Sequence, residues 1–135
     1  MYIKSALNLA DAKEIAAAAE AEAVKNKWNV TIAVLDDGGN LLFLQRLDEA
    51  PLGSIAVAQE KARTALLFKK PTKVFEEIIA NGRMAMLTLP GATPIEGGLP
   101  LLNKDQIIGA IGVSGVQSPQ DAQIARAGVE AAAKL

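Results

Sequence analysis

The sequence contains neither cysteine nor histidine. Without cysteine there is no disulfide framework, no thiolate nucleophile and no Cys-based zinc site. Without histidine the chain lacks the commonest metal ligand and the one side chain that titrates near neutrality unaided. Aromatics are scarce, with one Trp, one Tyr and three Phe, so aliphatic groups must fill the core. Charge of neither sign dominates: 14 Lys plus Arg against 15 Asp plus Glu leave a net charge of −1 and no field to hold a polyanion, which disfavours nucleic acid as a partner. No run approaches the ~20 apolar residues that span a bilayer, and no basic segment followed by an apolar one opens the chain. The expectation is a soluble cytoplasmic protein with no membrane partner.

What is present is a 135-residue chain, half of it hydrophobic. That length suits one domain, residues 1–135, able to bury roughly two thirds of its unfolded surface. An alanine-rich, nearly neutral composition also leaves room for an oligomer. The chain is organised around residues 94–115, where two apolar segments, Leu99–Leu102 and Ile107–Val113, flank the polar interval Asn103-Lys104-Asp105-Gln106. This pattern predicts a β-hairpin. Apolar groups on both faces of the second segment mark it as a central strand covered above and below, with Gly109 and Gly112 suited to close approach of a neighbouring backbone or helix.

Val30–Leu35 and Leu41–Leu47, joined by Asp36-Asp37-Gly38-Gly39-Asn40, predict a second hairpin buried on both faces. Met84–Leu89 is a further candidate strand. Helices are predicted from Asn8, as N-cap, to about Lys25; from a Ser54 cap to about Phe68; over Lys73–Ala80, stopped by Asn81-Gly82; and from a Ser118 cap with Pro119 at its first position. The first and last helices share a small-residue texture that lets them pack side by side. Hairpins rather than βαβ crossovers imply an α+β domain, an antiparallel sheet with helices on its faces.

The candidate site residues are few. Arg46 closes an apolar strand row and either pairs with Asp48 or faces a ligand. Lys61 and Thr64 share one side of their helix, one turn apart, where a cation and a hydroxyl can hold an anion unless Lys61 only snorkels along the surface. Glu96-Gly97-Gly98 sets a carboxylate beside exposed amides, which either form an anion-binding concavity or simply turn the chain into the hairpin.

Several segments resemble the GlcG/HbpS-like, or haem-degrading-domain, family, which includes the C-terminal domain of PduO proteins. They are Leu9-Ala10-Asp11-Ala12; Val34-Leu35-Asp36-Asp37-Gly38-Gly39 with Arg46 and Asp48; Pro51 to Ala65; Pro94 to Pro100; Ile108 to Gly115; and Asp121. The resemblance covers nearly the whole chain in order. It implies a profilin-like sheet of about five strands flanked by helices, assembled as a homo-oligomer, often an octamer, in a family of which some members bind haem, iron or a corrinoid-related partner and many accompany catabolic operons without an assigned reaction. Haem held by histidine is excluded here. Tyr2, Met84 and Met86 are the remaining conventional axial donors, and Glu96 or Asp36 with Asp37 could hold a hard cation only by giving up ordinary structural roles; no metal site is expected.

Three functions follow. One is a binding module for a small anionic or oxygen-rich metabolite, accessory to a catabolic pathway, with Arg46, Lys61, Thr64, Glu96, Gly97 and Gly98 around the ligand. Another is an enzyme acting on a small organic acid or carbonyl compound, with Glu96 as general base. The third is an assembly protein whose activity is oligomerisation alone; the resemblance adds a further alternative, haem- or iron-related binding without a histidine ligand.

Overall fold

The computed structural model describes residues Met1–Leu135. Helix α1 spans Leu9–Lys25; strands β1 (Thr31–Asp36) and β2 (Leu41–Arg46) follow; then helices α2 (Ser54–Phe68) and α3 (Thr72–Ala80), strands β3 (Gly98–Asn103) and β4 (Gln106–Ser114), and helix α4 (Ser118–Ala133). The strands form one antiparallel sheet in the order β2-β1-β4-β3. Helices α1 and α4 pack together on one face, and α2 lies on the other.

Both hairpins form where the turn chemistry places them. Asp36 Oδ1 accepts from the Gly38 and Asn40 amides, both at 2.9 Å, closing the first turn. The second turn is tighter than the four-residue interval suggested. Asn103 and Gln106 pair in the ladder, and Lys104 and Asp105 alone turn the chain with φ of +51° and +63°, the left-handed pair that a two-residue hairpin loop requires. Helix α1 begins at the expected cap: Asn8 Oδ1 accepts from the Asp11 amide at 2.8 Å, and Asp11 Oδ2 accepts in return from Asn8 N–H.

Four sequence expectations are corrected. The sheet has four strands rather than about five, because residues Met84–Thr88 form a 3₁₀ turn instead of a strand. At the β3 edge the Thr72 hydroxyl accepts from Gly98 N–H at 3.0 Å and donates to its carbonyl at 3.4 Å, and Pro100 has no N–H to offer, so part of that edge is unavailable to a further strand. Strand β2 is an edge strand with partly exposed side chains, not a doubly buried one. Ser54 does not cap α2; Gly53 occupies that position, and the Ser54 hydroxyl instead meets Thr31 Oγ1 at 2.8 Å under the helix. Helix α4 is capped by Gln117 rather than Ser118, which leaves Asp121 free to turn inward.

The two faces are filled differently. On the α1/α4 side, Val30, Ile32, Val34, Ile111, Val113 and Ile124 form a continuous aliphatic core with the alanines of α1. On the α2 side the apolar cluster is only Leu35, Ala62, Ala65, Leu66 and Ala110. Here α2 lies almost on the strands. A Cβ at Gly112 would overlap the Ala58 carbonyl oxygen, and one at Gly98, its partner across the ladder, would overlap the carbonyl oxygen of Lys61.

Candidate functional site

The close approach of α2 brings Lys61 against the start of β3. Gly97 has φ +134°, a conformation that favours glycine, and a Cβ there would sit 2.7 Å from Val113 O and 2.8 Å from Lys61 Nζ. Val113 N–H donates to Gly97 O at 3.0 Å, and the Val113 carbonyl accepts from Lys61 Nζ at 3.0 Å. Gly97 thus leaves room at the sheet's end for an ammonium that pairs with the strand carbonyl.

The same ammonium reaches around the end of the sheet to Asp121 Oδ2, 3.0 Å away, on the first turn of α4. Lys61 and Asp121 are each 2 % exposed. The ion pair therefore ties together helices that belong to opposite layers. Asp121 Oδ1 accepts from Val116 N–H at 3.1 Å, which fixes the segment between β4 and α4. Burial pushes the Asp121 carboxyl above its ordinary value, opposed by the Lys61 charge, its hydrogen bond and the Val116 amide, and the nearby negative charge of Glu96 pushes it further up.

Glu96 is the third charged group of this cluster and is 7 % exposed. The one cation within reach of its carboxylate is Lys73 Nζ, at 4.0 Å, on a half-exposed side chain of α3 that also approaches Glu77 at 3.7 Å. The Glu96 amide donates to Glu76 Oε1 at 3.3 Å. Glu96 is thus a largely enclosed carboxylate with a weakly held counter-charge, beside a strongly held ion pair.

The other proposed site residues lie differently. Thr64 is one turn from Lys61 but fully buried, and its hydroxyl is already engaged: it accepts from Thr93 N–H at 2.8 Å and lies 2.8 Å from Glu60 O and 3.3 Å from Gly91 O. Its role is to pin the loop that leads to Glu96 onto α2. Arg46 is exposed and forms no ion pair, with Asp48 or any other carboxylate. It ends β2, across β1 and β4 from β3, so roughly 14 Å of sheet separates it from the glycine pair at the usual strand spacing. The structure brings together Lys61, Glu96, Gly97 and Gly98, and leaves Arg46 apart.

Asp121, noted in the sequence as part of the family resemblance, was not among the predicted site residues, since an acidic residue in a first helical turn has a sufficient local explanation. The available signal was Lys61 itself, set on the same side of its helix as Val57, Thr64 and Phe68, where an ammonium that turns inward needs a distant counter-charge. Asp36 and Asp37 are used structurally, the first in its turn and the second paired with Lys4 at 2.7 Å. No three of the chain's carboxylates cluster as a metal site would require. For haem the available donors do not fit: Met84 is exposed and Met86 half-buried on the 3₁₀ turn. Tyr2 is 86 % exposed at an open cavity of about 440 Å³ lined mainly by Lys4, Asp37, Lys69, Asp105 and Gln106 rather than by apolar walls.

Comparison with known proteins accords with this architecture. The chain is 49 % identical over 114 residues to protein GlcG of Escherichia coli K12, covering 84 % of this chain and 85 % of that protein. It superposes on the crystal structure of Klebsiella pneumoniae protein ORFY with a TM-score of 0.89 at 32 % identity, over 99 % of this chain and 96 % of the other. It superposes on PduOC, solved as a haem complex, with a TM-score of 0.82 at 26 % identity over 94 % and 95 % of the two chains. The family model for haem degrading protein HbpS-like matches residues 7–130, and the chain belongs to that family.

Proposed function

We propose that this chain is a small-molecule-binding protein, a homo-oligomer accessory to a catabolic pathway in the cytoplasm, that takes a small oxygen-rich or anionic metabolite beside Glu96. The observation that carries the reading is the Glu96 carboxylate, enclosed yet held only by a 4.0 Å contact to Lys73. A carboxylate that no protein hydrogen bond engages gains from a ligand that donates one to it. Glu76, Glu96 and Asp121 outnumber Lys61 and Lys73 around this point, which favours a hydroxyl-bearing ligand within the class, with Lys73 placed to meet an anionic group.

The reading is tested by thermal shift against a panel of hydroxy acids, polyols and small carbonyl compounds. A ligand at a hundred times its Kd stabilises by about 2.7 kcal/mol, and Glu96→Gln should erase that gain while leaving the unliganded melt nearly unchanged. An equal gain in wild type and variant would remove Glu96 from the site. Lys61→Met does not serve here, because it strands Asp121. Light scattering that returned a monomer at every concentration would remove the oligomer.

A second reading, favoured by the same enclosed and weakly paired carboxylate, is that Glu96 acts as a general base on a small organic acid or carbonyl compound. NMR of the stabilising compound distinguishes the two: a binder leaves it intact, an enzyme consumes it. The haem bound by PduOC suggests a haemin titration as well. With no imidazole in the chain, no low-spin bis-imidazole spectrum should appear.

A further inference from the structure

A second cavity lies over the outer edge of β3, and none of Lys61, Glu96, Gly97 and Asp121 lines it. It is a trough of about 370 Å³, within the roughly 300–1,000 Å³ range of small-molecule sites. Leu99, Pro100, Leu102 and Ile107 supply its apolar floor, and the hydrocarbon stems of Lys69 and Arg126 line its sides, with both residues exposed so that their charged ends stand at its rim. The two cations come from opposite layers: Lys69 ends α2 on one face of the sheet, and Arg126 projects from the middle of α4 on the other. Neither forms an ion pair, although Asp37 and Asp105 line the cavity on the far side of Lys69. Lys69 holds the left-handed conformation, φ +56°, that terminates α2, so its backbone is fixed where the trough begins.

We propose that this trough is a binding site for a small amphipathic monocarboxylate, its hydrocarbon tail on the β3–β4 floor and its carboxylate between Lys69 and Arg126. An apolar floor alone would accept any hydrophobe; two unpaired cations select an anionic head. A second copy of the chain is a poorer occupant. A two-fold contact centred on the trough brings the two cations of one copy into the same contact as the two of the other, and like charges brought together in an apolar contact repel. The edge of β3 also offers less to an added strand, since Thr72 and Pro100 make part of it unavailable.

The probes are octanoate, octan-1-ol and octylamine, titrated by calorimetry below their aggregation limits. Octanoate should bind saturably, one per chain, and shift the methyl NMR signals of Leu99, Leu102 and Ile107, while the alcohol binds more weakly and the amine not at all. Arg126→Gln and Lys69→Asn, the latter keeping a residue that tolerates the left-handed backbone, should each weaken octanoate about tenfold. Lys70→Gln, which removes a neighbouring cation that lies over Phe75, should leave it unchanged. The proposal is overturned if the alcohol binds as tightly as octanoate, if both site variants bind it unaltered, or if Arg126→Gln changes the particle mass in light scattering, which would mark the trough as a contact between copies. None of these outcomes depends on Glu96.

Discussion

The two faces of the sheet solve different problems with different residues. Against α1 and α4 the strands present Val30, Ile32, Val34, Ile111 and Val113, large groups that keep helices at ordinary distance and bury hydrocarbon. Against α2 they present Thr31, Ala110, Gly112 and Gly98, and the helix answers with Ser54, Ala58, Lys61 and Thr64. Close packing there replaces bulk, and most of the chain's buried polar side chains lie in or beside that layer. The aliphatic face supplies general cohesion, whereas the α2 face requires particular atoms at particular places. A region of the second kind tolerates few substitutions and is where a site can be held rigidly.

The contrast can be broken most severely at Gly112. Gly112→Val puts a branched side chain into the Ala58 carbonyl and Ala62 backbone, and the expected outcome is loss of soluble folded protein, read by expression and far-UV circular dichroism. A melt within a few degrees of wild type would mean that α2 can lift from the sheet at little cost.

Next in size is the bridge between layers. Lys61→Met leaves Asp121 buried without its counter-charge and should cost about 3–5 kcal/mol by urea denaturation, whereas the double variant Lys61→Met with Asp121→Leu should recover most of that loss. If the double variant is no better than the single one, the pair contributes more than mutual neutralisation. On the aliphatic face, Ile124→Val removes one methyl from a fully buried residue and should cost about 0.5–1.5 kcal/mol without altering any ligand response.

The smallest effect is a slope. Asp121 has its folded-state carboxyl raised above 3.8, so it binds its proton more readily in the native chain than in the unfolded one. The stability this group contributes is complete below 3.8 and is lost as pH rises through its raised value. The stability of wild type minus that of the Lys61→Met, Asp121→Leu variant should therefore fall across that window, and a difference that rises instead would refute the assignment.

Local signals in the sequence determined much of this protein. Asn8 and Asp11 define a helix start through bonds between residues three apart, and the Asp36–Asn40 turn closes through one carboxylate. The alternation of Val30, Ile32 and Val34 assigns their common face, and the α+β class follows from two hairpins among four helices. Lys61, Glu96 and the glycine pair were also readable as candidates by residue type. Tertiary structure alone decided the rest, because those facts depend on chain segments far apart in sequence. Met84–Thr88 forms a 3₁₀ turn, and at the β3 edge Gly98 bonds to Thr72 while Pro100 has no N–H for a fifth strand. Arg46 was separated from Lys61 by strand order, which no periodicity encodes. Lys61 found Asp121 across sixty residues because the end of the sheet is where the two helical layers come within reach, and the missing side chain of Gly97 leaves the ammonium space to pass.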